Sequence, residues 1–406
     1  MIAITVKFAA ERGADSGRIF YRLTSGTRMA TVASNLCLRS EDWDSKSSTV
    51  AIGNSDVRLM IARDIIHRDV TNLRQIIGRL GIDRPSFTLG DVKSEFRGFV
   101  DRYSLVSYMT DVIANLRQTG HRRTAETYLT ALNRFQSFLD SCSMQEILIT
   151  TENFTIDCLT QRIMQEFQSW LITQGLIPNT ISFYNRILRA TYNRAVDEGA
   201  ILNTNPFRHV YTGVYATMKR ALSIDDIRAI RGLDLANYPQ LDLARDMFLM
   251  SFYLRGMSLI DMSFLRKSDL VDGYIIYHRR KTGQMLIIKW TDDMQDIVDK
   301  YPRGDSQYLL PILKEGAPDS YIAYLQAGRR INERLKEIAT LAGIKSRLTL
   351  YVARHSWASA ARTRGVPISI ISEGMGHRSE TTTRIYLASL DNSRIDAAND
   401  LILNML

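Results

Sequence analysis

Residues 348–386 read LTLYVARHSWASAARTRGVPISIISEGMGHRSETTTRIY. The spacing of the apolar positions predicts helices over 352–364, 368–375 and 379–388, broken at RGVP and at the Gly-His step. Tyr351 and Arg354 stand three residues apart, hence on one helix face, with His355 beside them. His377 and Tyr386 follow, nine residues apart. An arginine, a histidine and a tyrosine in a compact helical region can hold an anion. The same spacing also describes a core tyrosine among solvated arginines, and the residues alone leave both readings open.

Working outward, helices are predicted at 224–232, 239–254, 292–301 and 319–342. The strands YIIYHR (274–279) and MLIIKW (285–290) flank RKTGQ, a hairpin signal. The final SRIDAANDLILNML is amphipathic and predicts a terminal helix over 391–405. Residues 220–406 therefore read as a helical domain with one small sheet. From 102 to 214 the pattern is helical: 104–118, 123–141, 159–174 and 179–199, with Gly120, Gly175 and Gly199 at ends. NTNPF (203–207) is a loop, and Tyr211 to Lys219 reads as a linker. Residues 17–37 predict two strands about a turn at Ser25–Gly26, then helices over 55–80 and 89–99.

Composition bounds the function. The chain has 406 residues, room for two to four domains, and 45% hydrophobic content, enough for more than one core. A net charge of +9 and a pI of about 9.4 suit a polyanionic partner. The excess is spread thinly, so the fold must gather the arginines. Cys37, Cys142 and Cys158 are scattered and odd in number, with no zinc spacing, which fits a reducing, cytoplasmic setting. Lys7 and Glu11 interrupt the apolar start too soon for a signal peptide, and no run is long enough for a membrane span. The expectation is a soluble protein.

The 348–386 stretch resembles the box II signature of the tyrosine recombinase (phage integrase) family: an H-x-x-R-H helix, an apolar segment ending in L-G-H, and a T-T-x-x-Y tail. RGMSLIDMSFLRKSDL (255–270) resembles its box I, and RRKTGQ (279–284) its lysine-bearing hairpin. These lie in family order over about 220–390, and the details lean towards integrases of Bacteroides-type conjugative elements. The implied fold is mainly α with small β-sheets. An arm-type sheet-plus-helix DNA-binding module (1–100) precedes a helical SAM-like core-binding domain (101–215). A mixed α/β catalytic domain (220–406) follows.

The resemblance implies roles one residue at a time. Tyr386 matches the nucleophile that forms a 3′-phosphotyrosine. A phenol has a pKa of about 10, so a cationic pocket must stabilise its phenolate. Arg354 matches the arginine that grips non-bridging phosphate oxygens. His377 matches the phosphate donor, and Lys281 the general acid for the departing 5′-oxygen. Arg279 and Arg280 flank it, which leaves open which basic side chain reaches DNA. Two positions depart from the pattern. Ser258 occupies the slot of the first arginine; Arg255, three residues earlier and on the same face if the helix continues, is the replacement candidate. Tyr351 stands where histidine or lysine is usual. Asp261 fits the acidic position that braces the site.

Double-stranded DNA is the implied partner, bound by a homotetramer on two sites with accessory DNA-bending proteins, and the terminal helix is a candidate for docking on a neighbour. Neither metal nor nucleotide cofactor is implied. Arg122, Arg123, Arg186 and Arg189 on helices of the middle domain, and Arg280, are candidates for DNA contact; a solvated helix face is the competing reading. The strands around Arg22 and Arg28 are placed to enter a groove. The rival functions are a DNA-binding protein of this fold without activity and a type IB topoisomerase.

Overall fold

The computed structural model describes residues 2–388 apart from 12, 14, 52–55, 85, 143–153, 216–220, 303, 314–319 and 378, and also residue 403. The chain divides into two compact units, residues 1–215 and 216–406. But for residue 403, the terminal helix expected over 391–405 falls outside the described residues.

In the first unit, β1 (Ala3–Ala10), β2 (Ser16–Ser25) and β3 (Arg28–Arg39) form an antiparallel sheet in that order. The sequence predicts β2 and β3; β1 is an addition, pairing Ile4 with Leu23 and Phe8 with Ile19. A Cβ at Gly17 would lie 2.4 Å from the carbonyl oxygen of Ala9, so only glycine admits β1 at this distance. Alternation along β2 buries Ile19, Tyr21 and Leu23. A short ribbon follows, β4 (Trp43–Asp44) with β5 (Thr49–Val50). Next come α1 (Val57–Asp83), opened by the Asp56 carboxylate accepting from the Arg58 N–H, and α2 (Leu89–Tyr103), opened by a Thr88–Asp91 capping box.

Among the described residues four helices complete the unit: α3 (Leu105–Gln118), α4 (Arg122–Cys142), α5 (Gln161–Thr173) and α6 (Pro178–Asp197). They enclose Phe135, Phe138, Phe154 and Phe167, in one core continuous with that of the sheet. Polar bonds cross between the sheet-plus-helix part and the helical part. Asn72 donates to Asp157 at 2.8 Å and Thr160 to Asp64 at 3.1 Å, while within the first part Tyr21 donates to Asp69 at 2.5 Å. The segment read as a linker is in part fastened. Asn185 donates to the Tyr211 carbonyl, Ser182 to Gly213 and Asn179 to Tyr215, so residues 211–215 lie along α6.

The second unit runs α7 (Ile224–Arg231), α8 (Pro239–Tyr253), α9 (Leu259–Ser263), β6 (Leu270–Val271), β7 (Tyr274–His278), β8 (Met285–Lys289), α10 (Asp292–Lys300), α11 (Ser320–Leu341), α12 (Leu350–Thr363), α13 (Ile368–Gly374) and α14 (Glu380–Ala388). Met247, Phe248, Leu249 and Met250 are successive and all buried, so α8 is enclosed on every side along this stretch and is the central helix. α11 and α12 close on it through Leu335, Ile338, Val352 and Ala353. β6, β7 and β8 form an antiparallel sheet, with Ile275 facing Ile288 on its buried side. This framework brings the α8–α9 turn, the β7–β8 hairpin, α12 and the α13–α14 loop together.

Candidate active site

Arg354 lies on α12 and is only 4% exposed. A buried guanidinium must be hydrogen-bonded. Its Nη1 donates to the Gly256 carbonyl at 2.8 Å, and its Nη2 to the Met375 carbonyl at 2.7 Å. Nη2 also lies 3.1 Å from His377 Nε2. Gly256 and Arg354 are packed backbone against backbone: a Cβ on Gly256 would fall 2.5 Å from the Arg354 Cα.

The histidine's proton follows from these contacts. A guanidinium only donates, so Nε2 of His377 is the acceptor. Nδ1 therefore carries the proton and donates to Thr383 Oγ1 at 2.8 Å. Burial, then the charges of Arg354, Arg279 and Lys281, pushes His377 down from 6.5 to about 4. The imidazole is neutral at pH 7 with its proton on the side away from Arg354.

The hairpin meets this cluster through Arg279, 8% exposed, whose Nη1 donates to the Gly376 carbonyl. Arg280 faces the other way. Its backbone N–H donates to Asp261 Oδ1 at 2.9 Å, and its guanidinium sits 4.0 Å from the centre of the Phe264 ring. Asp261 also accepts from Ser258 Oγ at 2.7 Å. The serine in the arginine slot thus orients Asp261, which joins α9 to the hairpin base. Lys281 is exposed on the turn.

The expectation for Arg255 needs correcting. It does not share a helix with Ser258: α8 ends at Tyr253 and α9 begins at Leu259. Between them Arg255 and Gly256 both take positive φ, +58° and +75°. The left-handed turn, not helical periodicity, aims the Arg255 stem at α13, where its Cδ lies 3.7 Å from the Cβ position of Gly374. Its charge, with those of Arg354 and Arg279, also opposes the burial that pushes the Tyr277 hydroxyl upward. Tyr351 is 55% exposed and sets its ring edge-on to His355, with centroids 4.8 Å apart. Tyr386 lies in α14, which is tied on both sides of it: Thr383 holds His377, and the Leu387 carbonyl accepts from Arg362. The side chain of Tyr386 lies outside the described residues.

Sequence reasoning assigned no role to Thr383, and left Arg279 unresolved beside Lys281. Alternation in β7 carries the signal for the latter, because Ile275, Tyr277 and Arg279 all point inward. In the first unit Arg123, Arg186 and Arg189 are exposed and Arg122 is half-buried; Arg189 donates to Thr212 Oγ1 at 3.0 Å.

A model described as "Phage integrase SAM-like domain" matches residues 104–212, and one described as "Phage integrase family" matches 233–393, which contains every segment that meets Arg354. The chain belongs to the phage integrase family of tyrosine recombinases. This tyrosine recombinase is similar to the tyrosine recombinase XerC of Thermodesulfovibrio yellowstonii, 24% identical over 55% of this chain and 76% of that protein. It is also similar to XerD of Oceanobacillus iheyensis, 23% identical over 57% and 78%. Its fold matches a lambda integrase dimer bound to a COC′ core site, with a TM-score of 0.54, 14% identity and coverage of 87% of this chain and 95% of that one. XerH recombinase in a post-cleavage complex with palindromic difH gives 0.51, at 17% identity, over 72% and 83%. Among the described residues no helix is long and apolar enough to cross a membrane.

Proposed function

We propose that this tyrosine recombinase cuts and rejoins double-stranded DNA at specific sites, with Tyr386 as nucleophile. The observation that carries the reading is the single guanidinium of Arg354 joined to Gly256 of the α8–α9 turn and to both Met375 and His377 of the α13–α14 loop. Preorganised donors of this kind act where charge builds on phosphate oxygens. The Tyr386 oxygen attacks phosphorus in line, forming a 3′-phosphotyrosine while the bond to the 5′-oxygen breaks. Arg354 holds the non-bridging oxygens. Once the phosphate separates it from Arg354, His377 takes its other neutral tautomer: Nε2 donates to one of these oxygens while Nδ1 accepts from the Thr383 hydroxyl. Lys281 delivers a proton to the leaving 5′-oxygen, and Arg255 adds positive charge from the α8–α9 turn. Tyr351, exposed at the start of α12, orients the phosphate. One phosphodiester is exchanged for another, so the chemistry consumes no nucleotide.

In this reading residues 1–100 bind arm-type DNA and residues 101–215 core-type DNA. Arg122, Arg123, Arg186, Arg189 and Arg280 meet the duplex, and residues 220–406 perform catalysis in the cytoplasm. A homotetramer on two sites, with accessory DNA-bending proteins, completes strand exchange. A lambda integrase tetramer is known on a Holliday junction. Ser258 in the arginine slot supports a place in the Bacteroides-type branch.

A nicked suicide duplex tests the chemistry. The full chain should form a covalent protein–DNA adduct that Tyr386→Phe abolishes. Absence of an adduct with the unaltered protein would leave a DNA-binding protein without activity. Relaxation of supercoiled plasmid without site preference would point to a topoisomerase.

A further inference from the structure

We propose that Arg279 is a positioning residue that locks the Lys281 hairpin to the loop carrying His377, so that the general acid and the phosphate-holding groups move as one body. The proposal rests on the reading of Lys281 as general acid. Arg279 occupies the third inward position of the β7 alternation, after Ile275 and Tyr277. An aliphatic residue would fill that place without the desolvation cost of a buried cation, so the guanidinium is there for its bond. That bond runs to the carbonyl of Gly376, the residue before His377. The two segments are tightly packed there: a Cβ on Gly376 (φ +64°) would lie 2.9 Å from Leu286 on β8 and 3.0 Å from the Cδ of Arg279.

The same residue closes the turn that bears Lys281. The Arg279 N–H donates to the Gln284 carbonyl at 2.8 Å, and the Arg279 carbonyl accepts from the N–H groups of Thr282 and Gly283 at 3.2 and 2.7 Å. Two residues later, Lys281 projects on a long flexible stem from an exposed position. Its reach to a leaving group is therefore set by where the turn sits. The Asp261 carboxylate holds the neighbouring Arg280 N–H from the opposite side. The hairpin is thus fixed at two consecutive residues, and Arg279 is the one hydrogen-bonded to the His377 loop.

The test compares two nicked suicide duplexes, one with an ordinary phosphodiester at the scissile position and one with a 5′-bridging phosphorothiolate. In both, the tyrosine oxygen forms the new bond to phosphorus and its proton passes to solvent. Breaking P–O requires a proton for the departing oxygen. Breaking P–S expels a thiolate, stable near neutral pH because a thiol has a pKa of about 8.5. Arg279→Gln in the full chain should slow phosphodiester cleavage by about tenfold or more, yet slow phosphorothiolate cleavage by less than about threefold. DNA affinity at fixed salt should stay within about twofold. Arg279→Lys, which keeps a buried cation and a donor, should show the same selective loss in weaker form, and it serves if the glutamine variant does not fold. Equal loss on both substrates, or no loss on either, overturns the proposal. Lys281→Ala separates it from the reading beneath: rescue of Lys281→Ala but not of Arg279→Gln overturns the coupling alone, whereas rescue of neither overturns the acid assignment and the coupling with it.

Discussion

Replacing Gly256 by alanine would drive a methyl group into the backbone of α12. The new Cβ would lie 2.5 Å from the Arg354 Cα and 2.7 Å from both its Cβ and Cγ. The nearest of these atoms is backbone, so no rotamer change relieves the clash. Two costs combine. The φ of +75° disfavours any L side chain by about 1–2 kcal/mol. Overpacking at a rigid contact adds about 1–3 kcal/mol. The sum, about 2–5 kcal/mol, lowers the melting temperature of a unit of this size by roughly 4–20 °C. The Gly256 carbonyl also accepts from Arg354, so separating the two segments misplaces the guanidinium and removes cleavage. Gly273→Ala is the control: it has nearly the same φ, +77°, but open space where its Cβ would stand. It should cost only the backbone strain and leave cleavage intact. Thermal unfolding and single-turnover cleavage of a suicide duplex, measured on both variants, decide the matter. If Gly256→Ala matched Gly273→Ala in both measurements, the packing argument would be wrong.

His377 should make the DNA-free protein acid-sensitive. The unfolded chain takes up the imidazole proton near 6.5 and the folded chain only near 4, so stability is full above pH 6.5 and is lost as the pH falls through that window. After allowance for solvent screening at a half-buried ring, the unaltered protein should lose about 1–2 kcal/mol more than His377→Gln between pH 7 and 4 in denaturant titrations. Parallel pH profiles would refute this. Asp69 has the opposite sign: burial raises its carboxyl from 3.8 to about 8, so the stability it supports is full below pH 3.8 and lost as the pH rises through 8. Asp69→Asn should therefore be more stable than the unaltered protein at pH 8.5 and match it near pH 4; urea unfolding at those two pH values is the check.

Much of the architecture is legible in the sequence because it is written in local periods. Apolar spacing near 3.6 located α3 to α8 and α10 to α14 within a few residues, and alternation located β2, β3, β7 and β8. β1 is not legible in the same way: Ile4, Val6 and Phe8 alternate, but so short an alternation, ending in Ala9 and Ala10, is a weak strand signal. The order of Arg255–Gly256, Lys281, Arg354, His377 and Tyr386 along the chain was enough to suggest the family, since each short motif is carried by one element.

The sequence by itself thus determined the elements, the order of the motifs and the chemical type of each candidate side chain. The tertiary structure decided which of them meet. Arg354 finds Gly256 across 98 residues, and Arg279 finds Gly376 across 97. Whether Arg255 points along a helix or turns off it depends on two positive φ angles, the second at Gly256, where a Cβ would clash with α12. Periodicity records which face of an element is apolar. It does not record which buried donor will find which carbonyl, because that pairing exists only after separate elements have packed and water has been excluded between them.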